Sequence, residues 1–286
     1  MPELPEVETI RCDLYPRVCG RAITAVRITP DAVPLVDGAS PAEFQRRLKG
    51  RRIEGLSRRG KYLILHLSGG LHLSGGLHLI VHLRMTGALL HRDAAAPADR
   101  YVRAVLSLDD GTELRYADLR KLGRLRLVAH PDEAVGRLGP EPLDARFTAA
   151  RLRQAIGRRR APIKAVLLDQ RALAGLGNIY ADEALFAARI HPQRRADTLS
   201  EAENRRLHRS IRRVLRDALD NRGASFRDYV DGGGREGRHQ FHVKVFRRTG
   251  QPCYVCGAEI ERTKVGGRST QFCPRCQPQE VANGPT

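Results

Sequence analysis

The feature that most restricts what this chain can fold into is a set of four cysteines near its end, Cys253-x2-Cys256-x16-Cys273-x2-Cys276. Each C-x-x-C pair forms a tight knuckle that aims two sulfurs at one ion, and two such pairs close a tetrahedral shell around zinc. A shell of four thiolates leaves no open position, so one structural Zn2+ is the expected cofactor. A redox dithiol would use one pair and have no need of the second. Cys12 and Cys19 stand apart near the start and are expected to be ordinary packing residues. A disulfide-built extracellular scaffold would spread its cysteines more densely through a smaller chain.

A finger of this size occupies little of 286 residues. At roughly 150 residues per domain, two further cores fit. No run of about 18 apolar residues offers a membrane span, and the start MPELPEVET is acidic and proline-rich where a secretory signal would be basic and then apolar. A soluble, cytoplasmic chain is expected. Lys and Arg total 50 against 32 Asp and Glu, a formal charge of +18. Such an excess selects polyanionic partners, nucleic acid first. Few aromatic residues (5%) argue against a single-strand binder that stacks bases on many rings.

The hydrophobic period changes along the chain. Residues 4 to 18 read as a helix, with Pro5 in the first turn, Val7, Ile10, Leu14 and Val18 on one face, and Pro16 ending the regular part. From Ala22 to Val128 short alternating runs predict an all-β sandwich or barrel. Within it Leu65-His66-Leu67-Ser68-Gly69-Gly70 recurs unchanged as residues 71 to 76. Six is even, so the added copy keeps inward and outward faces in register. His66, His72, His78 and His82 have no accompanying carboxylate, so a structural role is expected of them rather than a metal site. Residues 131 to 145 read as a linker. Helical periods follow at 147 to 156, 163 to 169, 179 to 188 and 200 to 221, the last begun by a Ser200–Glu203 capping box. A flexible glycine-rich loop and a short strand from Phe241 to Phe246 precede the cysteines.

Three local patterns carry chemistry. Arg262, Lys264 and Arg268 flank Gly266-Gly267 on a predicted fingertip hairpin, suited either to phosphate contact or to solvation. Gly175 and Gly177 precede Asn178 at a helix start, which is a phosphate-sized anion site or a plain cap; Arg158, Arg159, Arg160 and Lys164 lie in the same helical region. Third, removal of Met1 would leave the secondary amine of Pro2 beside Glu3 and Glu6. Such an amine can attack an electrophilic sugar carbon while a carboxyl group moves protons.

Taken together, MPELPEVET, Arg59-Gly60-Lys61-Tyr62-Leu63, His82-Leu83-Arg84-Met85-Thr86-Gly87, Gly139-Pro140-Glu141-Pro142-Leu143, Gly175 to Glu183 and the cysteine module through Pro274 resemble the formamidopyrimidine-DNA glycosylase family, which also holds the endonuclease VIII enzymes. The motifs are collinear from Pro2 to Gln277. The resemblance implies an α+β chain: a catalytic β-sandwich with a leading helix (1–130), a linker (131–145), a helix–two-turn–helix DNA-binding domain (146–238), a four-cysteine zinc finger (239–277) and a disordered tail (278–286). It implies a monomeric, nucleoid-associated repair enzyme that binds damaged duplex DNA, excises oxidised purines and then cleaves the abasic site. Pro2 would be the nucleophile and Glu3 the acid/base, with Lys61 serving β-elimination and Arg268 δ-elimination. Met85, Arg120 and Leu122 would fill the gap left by the extruded nucleotide. Tyr101, Lys121, Arg160, Lys164 and Asn178 would complete the DNA contacts, with Lys164 and the loop near 223 to 238 facing the lesion.

The sequence departs from the family where Asp118-Leu119-Arg120-Lys121-Leu122-Gly123 replaces a more usual Asp-Pro-Arg-Arg-Phe-Gly, giving an aliphatic wedge for an aromatic one. Tyr101 stands where a histidine is common and Phe246 where a tyrosine is common. Leu4 and the long glycine-rich segment favour purine lesions over the oxidised pyrimidines of endonuclease VIII. The alternative from another class is a noncatalytic zinc-finger protein that binds DNA.

Overall fold

The computed structural model describes residues 1–68 and 76–279. Residues 71–75 of the second hexapeptide copy, with His72, and residues 280–286 of the expected tail lie outside the described residues. The chain divides into two units, one of residues 1–137 with 219–240 and the other of 138–218 with 241–286.

The first unit begins with α1 (Leu4–Val18), whose Val7, Ile10, Leu14 and Val18 are all buried. Pro16 was expected to end this helix, yet the helix continues through it. Val18 is wholly buried in the core, and that burial outweighs one lost backbone bond in the last turn. There follow β1 (Ile23–Ile28), β2 (Val36–Asp37), α2 (Pro41–Leu48), β3 (Ile53–Arg59), β4 (Tyr62–Leu67), β5 (Leu77–His82), β6 (Gly87–Asp93), β7 (Val102–Leu108), β8 (Thr112–Asp118), β9 (Arg124–Val128) and the one-turn α3 (Asp132–Val135). One sheet runs β1-β7-β8-β6 and the other β2-β9-β5-β4-β3, antiparallel except between β2 and β9. Alternation places Leu63, Leu65 and Leu67 of β4, Leu77, Leu79 and Val81 of β5, and Leu106 and Leu108 of β7 in one core with the apolar face of α1. The helix α2 interrupts the expected run of strands. Ser40 caps it by accepting the Glu43 amide at 3.2 Å, and Phe44 and Leu48, one turn apart, are its buried residues.

The second unit holds α4 (Ala149–Ile156), α5 (Ile163–Leu168), α6 (Asn178–Ala188), most of α7 (Glu201–Asp220), and the hairpin β10 (Glu261–Val265) and β11 (Arg268–Phe272). The capping box at α7 forms as the sequence predicts: Ser200 Oγ accepts the Glu203 amide (3.2 Å) and Glu203 Oε2 accepts the Ser200 amide (2.8 Å). The strand expected from Phe241 to Phe246 does not form. The amides of Lys244, Val245 and Phe246 instead donate to the carboxylate of Glu183 at 2.8, 2.9 and 2.9 Å, so they are spent on a side chain rather than on a neighbouring strand. Burial pushes the Glu183 carboxyl up while these three amides draw it back.

Candidate active site and DNA-contacting surfaces

In the first unit Pro2 and Glu3 are buried immediately before α1. The Glu3 amide donates to Glu6 Oε2 at 2.8 Å, and Glu6 Oε1 accepts the Ala224 amide at 2.9 Å. One carboxylate thus fixes both the N-terminal residues and the segment after α7. The Tyr229 hydroxyl closes the same joint by donating to the Arg222 carbonyl at 3.1 Å. The glycine-rich loop, expected to be flexible, is tied down by acids: Asp13 Oδ2 accepts from Arg222 (2.6 Å) and the Gly232 amide (3.3 Å), and the fully buried Asp231 accepts the amides of Gly233 (2.9 Å) and Arg235 (3.0 Å).

Lys61 lies in the β3–β4 turn and is buried. Arg58 braces that turn, bonding the Gly60 carbonyl at 3.0 Å and Glu8 of α1 at 2.9 Å. Burial raises the Glu8 carboxyl, but the Arg11 hydrogen bond and the Arg58 charge hold it below the usual carboxylate range. His82 sits edge-on to Tyr62 at 4.5 Å, and its Nδ1 accepts the Arg84 amide at 3.0 Å. Burial, then the charges of Arg84 and Lys61, push His82 down to about 3, so its ring is neutral at physiological pH.

At one end of the sandwich Met85, Tyr101, Leu119 and Leu122 are exposed. Exposed apolar side chains that cluster need a reason. Arg84, Tyr101 and Lys121, among them or adjacent to them, all adopt left-handed backbone (φ 53°, 60° and 52°), a strain that collects at functional sites. The fully buried Asp118 organises this end. Its Oδ1 accepts the Arg120 amide at 3.1 Å and the Thr86 hydroxyl, and its Oδ2 accepts the Gly123 amide at 2.8 Å and the Tyr116 hydroxyl at 3.4 Å. The loop bearing Arg120 and Leu122 is thereby joined to the turn bearing Met85, and Arg120 Nη1 meets Met85 Sδ at 3.3 Å. A Cβ on Gly123 would stand 1.6 Å from the Tyr116 hydroxyl, so only glycine fits there. Lys121 turns to Asp31 at 2.8 Å, which helps hold that exposed carboxyl at about 2. The Tyr101 hydroxyl accepts from Arg100 at 2.8 Å. A cavity of about 300 Å³ opens beside Thr86, Arg92, Tyr101, Asp228 and Gly234.

His66 and His78 face each other across β4 and β5, Nδ1 to Nδ1 at 3.0 Å, and Ser57 Oγ meets His66 Nε2 at 2.7 Å. Both Nδ1 atoms and the Nε2 of His66 are taken up in these contacts, in keeping with a structural role. Among the described residues, only the cysteines form a group of three or more potential metal ligands.

In the second unit the four cysteine sulfurs all lie within 4.8 Å of one another, with Cys253–Cys276 at 3.9 Å and Cys256–Cys273 at 3.5 Å. Zn–S bonds of about 2.3 Å require sulfurs roughly 3.8 Å apart, so the donor set fits one structural zinc. The hairpin turns at Gly266-Gly267, both left-handed (φ 56° and 75°), and exposes Arg262, Lys264 and Arg268. Arg160 is exposed before α5.

Asn178 opens α6, and its Nδ2 donates to the Ser269 carbonyl at 2.9 Å while its Oδ1 is buried without a partner. Lys164 has a different task from the DNA contact expected of it. It is wholly buried, and its ammonium reaches Asp182 Oδ1 at 2.7 Å, the Ser269 carbonyl at 2.9 Å and Thr270 Oγ1 at 2.8 Å. An amine so enclosed braces the strand that begins with Arg268. Asp182, Glu183, Asp118 and the Asp13–Arg222–Asp231 group were not singled out as site residues from sequence. Carboxylates scattered through a basic chain were the available signal.

A proline-headed sandwich with a pinned loop at 119–123, and a helical unit that ends in a four-cysteine hairpin module, define a DNA-processing protein of the helix–two-turn–helix class. Residues 1–125 match the sequence model of the Formamidopyrimidine-DNA glycosylase N-terminal domain, 138–229 the Formamidopyrimidine-DNA glycosylase H2TH domain, and 250–279 the zinc finger found in FPG and IleRS. The chain is 49% identical over 285 residues to the formamidopyrimidine-DNA glycosylase of Heliobacterium modesticaldum, covering 97% of this chain and all of that protein. It also superimposes with a TM-score of 0.86 at 36% identity, over 97% of this chain and all of the other, on Lactococcus lactis Fpg bound to abasic-site DNA and on the same enzyme bound to N7-benzyl-Fapy-dG DNA. The chain belongs to the formamidopyrimidine-DNA glycosylase family. No helix among the described residues is long and apolar enough to cross a membrane.

Proposed function

We propose that this protein is a bifunctional DNA glycosylase and abasic-site lyase that removes oxidised purines, 8-oxoguanine and formamidopyrimidines, from duplex DNA. The observation that carries the reading is the buried Pro2–Glu3 pair at the positive end of α1, held through Glu6. Once Met1 is removed, the Pro2 nitrogen is a secondary amine, nucleophilic in its unprotonated form, and the carboxylate of Glu3 beside it can take up its proton. The lone pair bonds to C1′ of the damaged nucleotide as the glycosidic bond breaks, the base leaving with the electron pair of that bond and taking up a proton; the amine then gives up its own proton, and the C1′–O4′ bond opens with its electron pair and a proton going to O4′. The resulting iminium acidifies the C2′ proton, whose loss expels the 3′ phosphate; a second elimination expels the 5′ phosphate. Glu3 exchanges the protons, and Lys61 and Arg268 stabilise the departing phosphates.

Extrusion of the damaged base leaves a gap in the duplex. Met85 and Leu122 enter it as apolar wedges and Arg120 meets the orphaned base. The cavity beside Thr86 and the 228–234 segment takes the extruded purine. Tyr101, Lys121, Arg160 and Asn178 contact the backbone, and a monomer works at the nucleoid in the cytoplasm.

Borohydride trapping on an abasic-site duplex tests the reaction. A covalent adduct at the Pro2 nitrogen, mapped by mass spectrometry of the N-terminal peptide, is expected. An adduct at another residue, or none from protein shown to lack Met1, refutes the mechanism. Excision measured side by side on 8-oxoguanine and thymine glycol decides the lesion class, and a preference for thymine glycol overturns the assignment to purines.

A further inference from the structure

Helix α7 carries six arginines, Arg205, Arg206, Arg209, Arg212, Arg213 and Arg216, and two of them have evident local duties. Arg206 Nε donates to the Ala188 carbonyl at 2.6 Å, and Arg212 Nη1 donates to the carbonyls of Pro142 (3.0 Å) and Asp144 (2.7 Å). The other four are exposed. At 100° per residue, Arg205, Arg209, Arg213 and Arg216 fall within an arc of about 80° and form a row roughly 16 Å long. Arg205 is paired with Glu201, but Arg209, Arg213 and Arg216 have no ion pair among the described residues.

This row works against the helix that bears it. Residues 205, 209 and 213 are successive i,i+4 neighbours of like charge, which destabilises a helix. The apolar face, with Leu207, Ile211, Val214 and Leu215, already anchors α7, so folding gains nothing from the row. Successive positions rise about 6 Å along the axis, and about 4.5 Å at the last step, a linear array suited to a linear polyanion. Duplex DNA presents one negative charge per roughly 1.7 Å of its axis, and guanidinium matches phosphate in a bidentate fork. An acidic protein would need carboxylates in the same straight spacing, whereas any duplex provides it irrespective of sequence.

We propose that the Arg205–Arg216 face of α7 is a second nucleic-acid surface, which holds the phosphate backbone of a duplex segment other than the one whose lesion is processed. Such a surface lets the protein transfer between DNA segments without full release. The proposal does not depend on Pro2 chemistry.

The test uses the full chain with Arg209→Gln, Arg213→Gln and Arg216→Gln combined, and with lysine at the same three positions. Protein is saturated with a short duplex carrying an abasic-site analogue and then offered a long undamaged duplex. Wild type should capture the second duplex; the glutamine variant should bind it at least about tenfold more weakly at low salt, with a log–log salt slope smaller by about 2–3 at roughly 0.9 per phosphate contact. The lysine variant should keep most of the slope, which separates charge from misfolding. Affinity for the short duplex should not change. Equal capture and slope in the glutamine variant overturn the proposal and leave the face to an acidic protein or to solvent. An equal loss on the short duplex also overturns it, because the arginines would then belong to the primary site.

Discussion

Lys164 and Asp182 form an ion pair from which solvent is wholly excluded, 2.7 Å from Nζ to Oδ1, and the same ammonium holds the backbone of β11 next to Arg268. Breaking one member of such a pair strands the other charge in a dry site. Lys164→Met or Asp182→Leu alone is expected to cost about 3–5 kcal/mol in denaturant unfolding, and the two combined distinctly less than the two single costs added. Additive costs in the double variant would show that the two charges are not coupled.

The loop bearing Arg120 and Leu122 depends on one carboxylate and one glycine. Gly123→Ala must displace the Tyr116 hydroxyl, and Asp118→Ala removes an acceptor shared by two amides and two hydroxyls. Each is expected to destabilise the first unit by about 2–4 kcal/mol and to lower excision from duplex more than cleavage of a single-stranded abasic substrate. Equal losses on both substrates would mean that the loop does not act as a wedge.

His82 links stability to acidity. Its folded value is near 3 against about 6.5 unfolded, so on acidification the unfolded chain takes up the proton first. The stabilisation is therefore complete above about pH 6.5 and is lost as pH falls from there toward 3, on the order of a few kcal/mol in all. In His82→Gln the fall of Tm between pH 6.5 and 4 should be shallower than in wild type. An unchanged profile would show that the ring titrates normally.

Zinc should bind at one ion per chain, released by thiol-modifying reagents in step with loss of DNA binding. Cys273→Ser should abolish stoichiometric zinc while leaving the β-sandwich able to unfold cooperatively. Full zinc content in that variant would contradict the four-thiolate site.

Much of this architecture is written in short-range rules. The Ser200–Glu203 box, the Gly266-Gly267 turn and the buried stripe of α1 are each set by residues within a few positions of one another, and each appears where the sequence places it. The cysteine spacing likewise fixes its own donor set. What escaped depends on partners far along the chain. Phe241, Val243 and Val245 alternate like a strand, but Glu183, some sixty residues earlier, takes the amides. Lys164 reads as one more surface cation until Asp182 and Ser269 enclose it. The helix α2 had a visible start at Ser40-Pro41, yet two buried side chains give too short a period to stand out among strands.

Glu183 also acts as a ruler. Its two oxygens bind three consecutive amides, and only six residues separate the last of them from the first zinc ligand, Cys253. Lengthening or shortening that connection by a single residue would set the grip of α6 and the coordination of the metal against each other. Residues 246 to 253 should therefore tolerate changes of side chain far better than changes of length, and an insertion there should cost the finger its metal while its four cysteines remain intact.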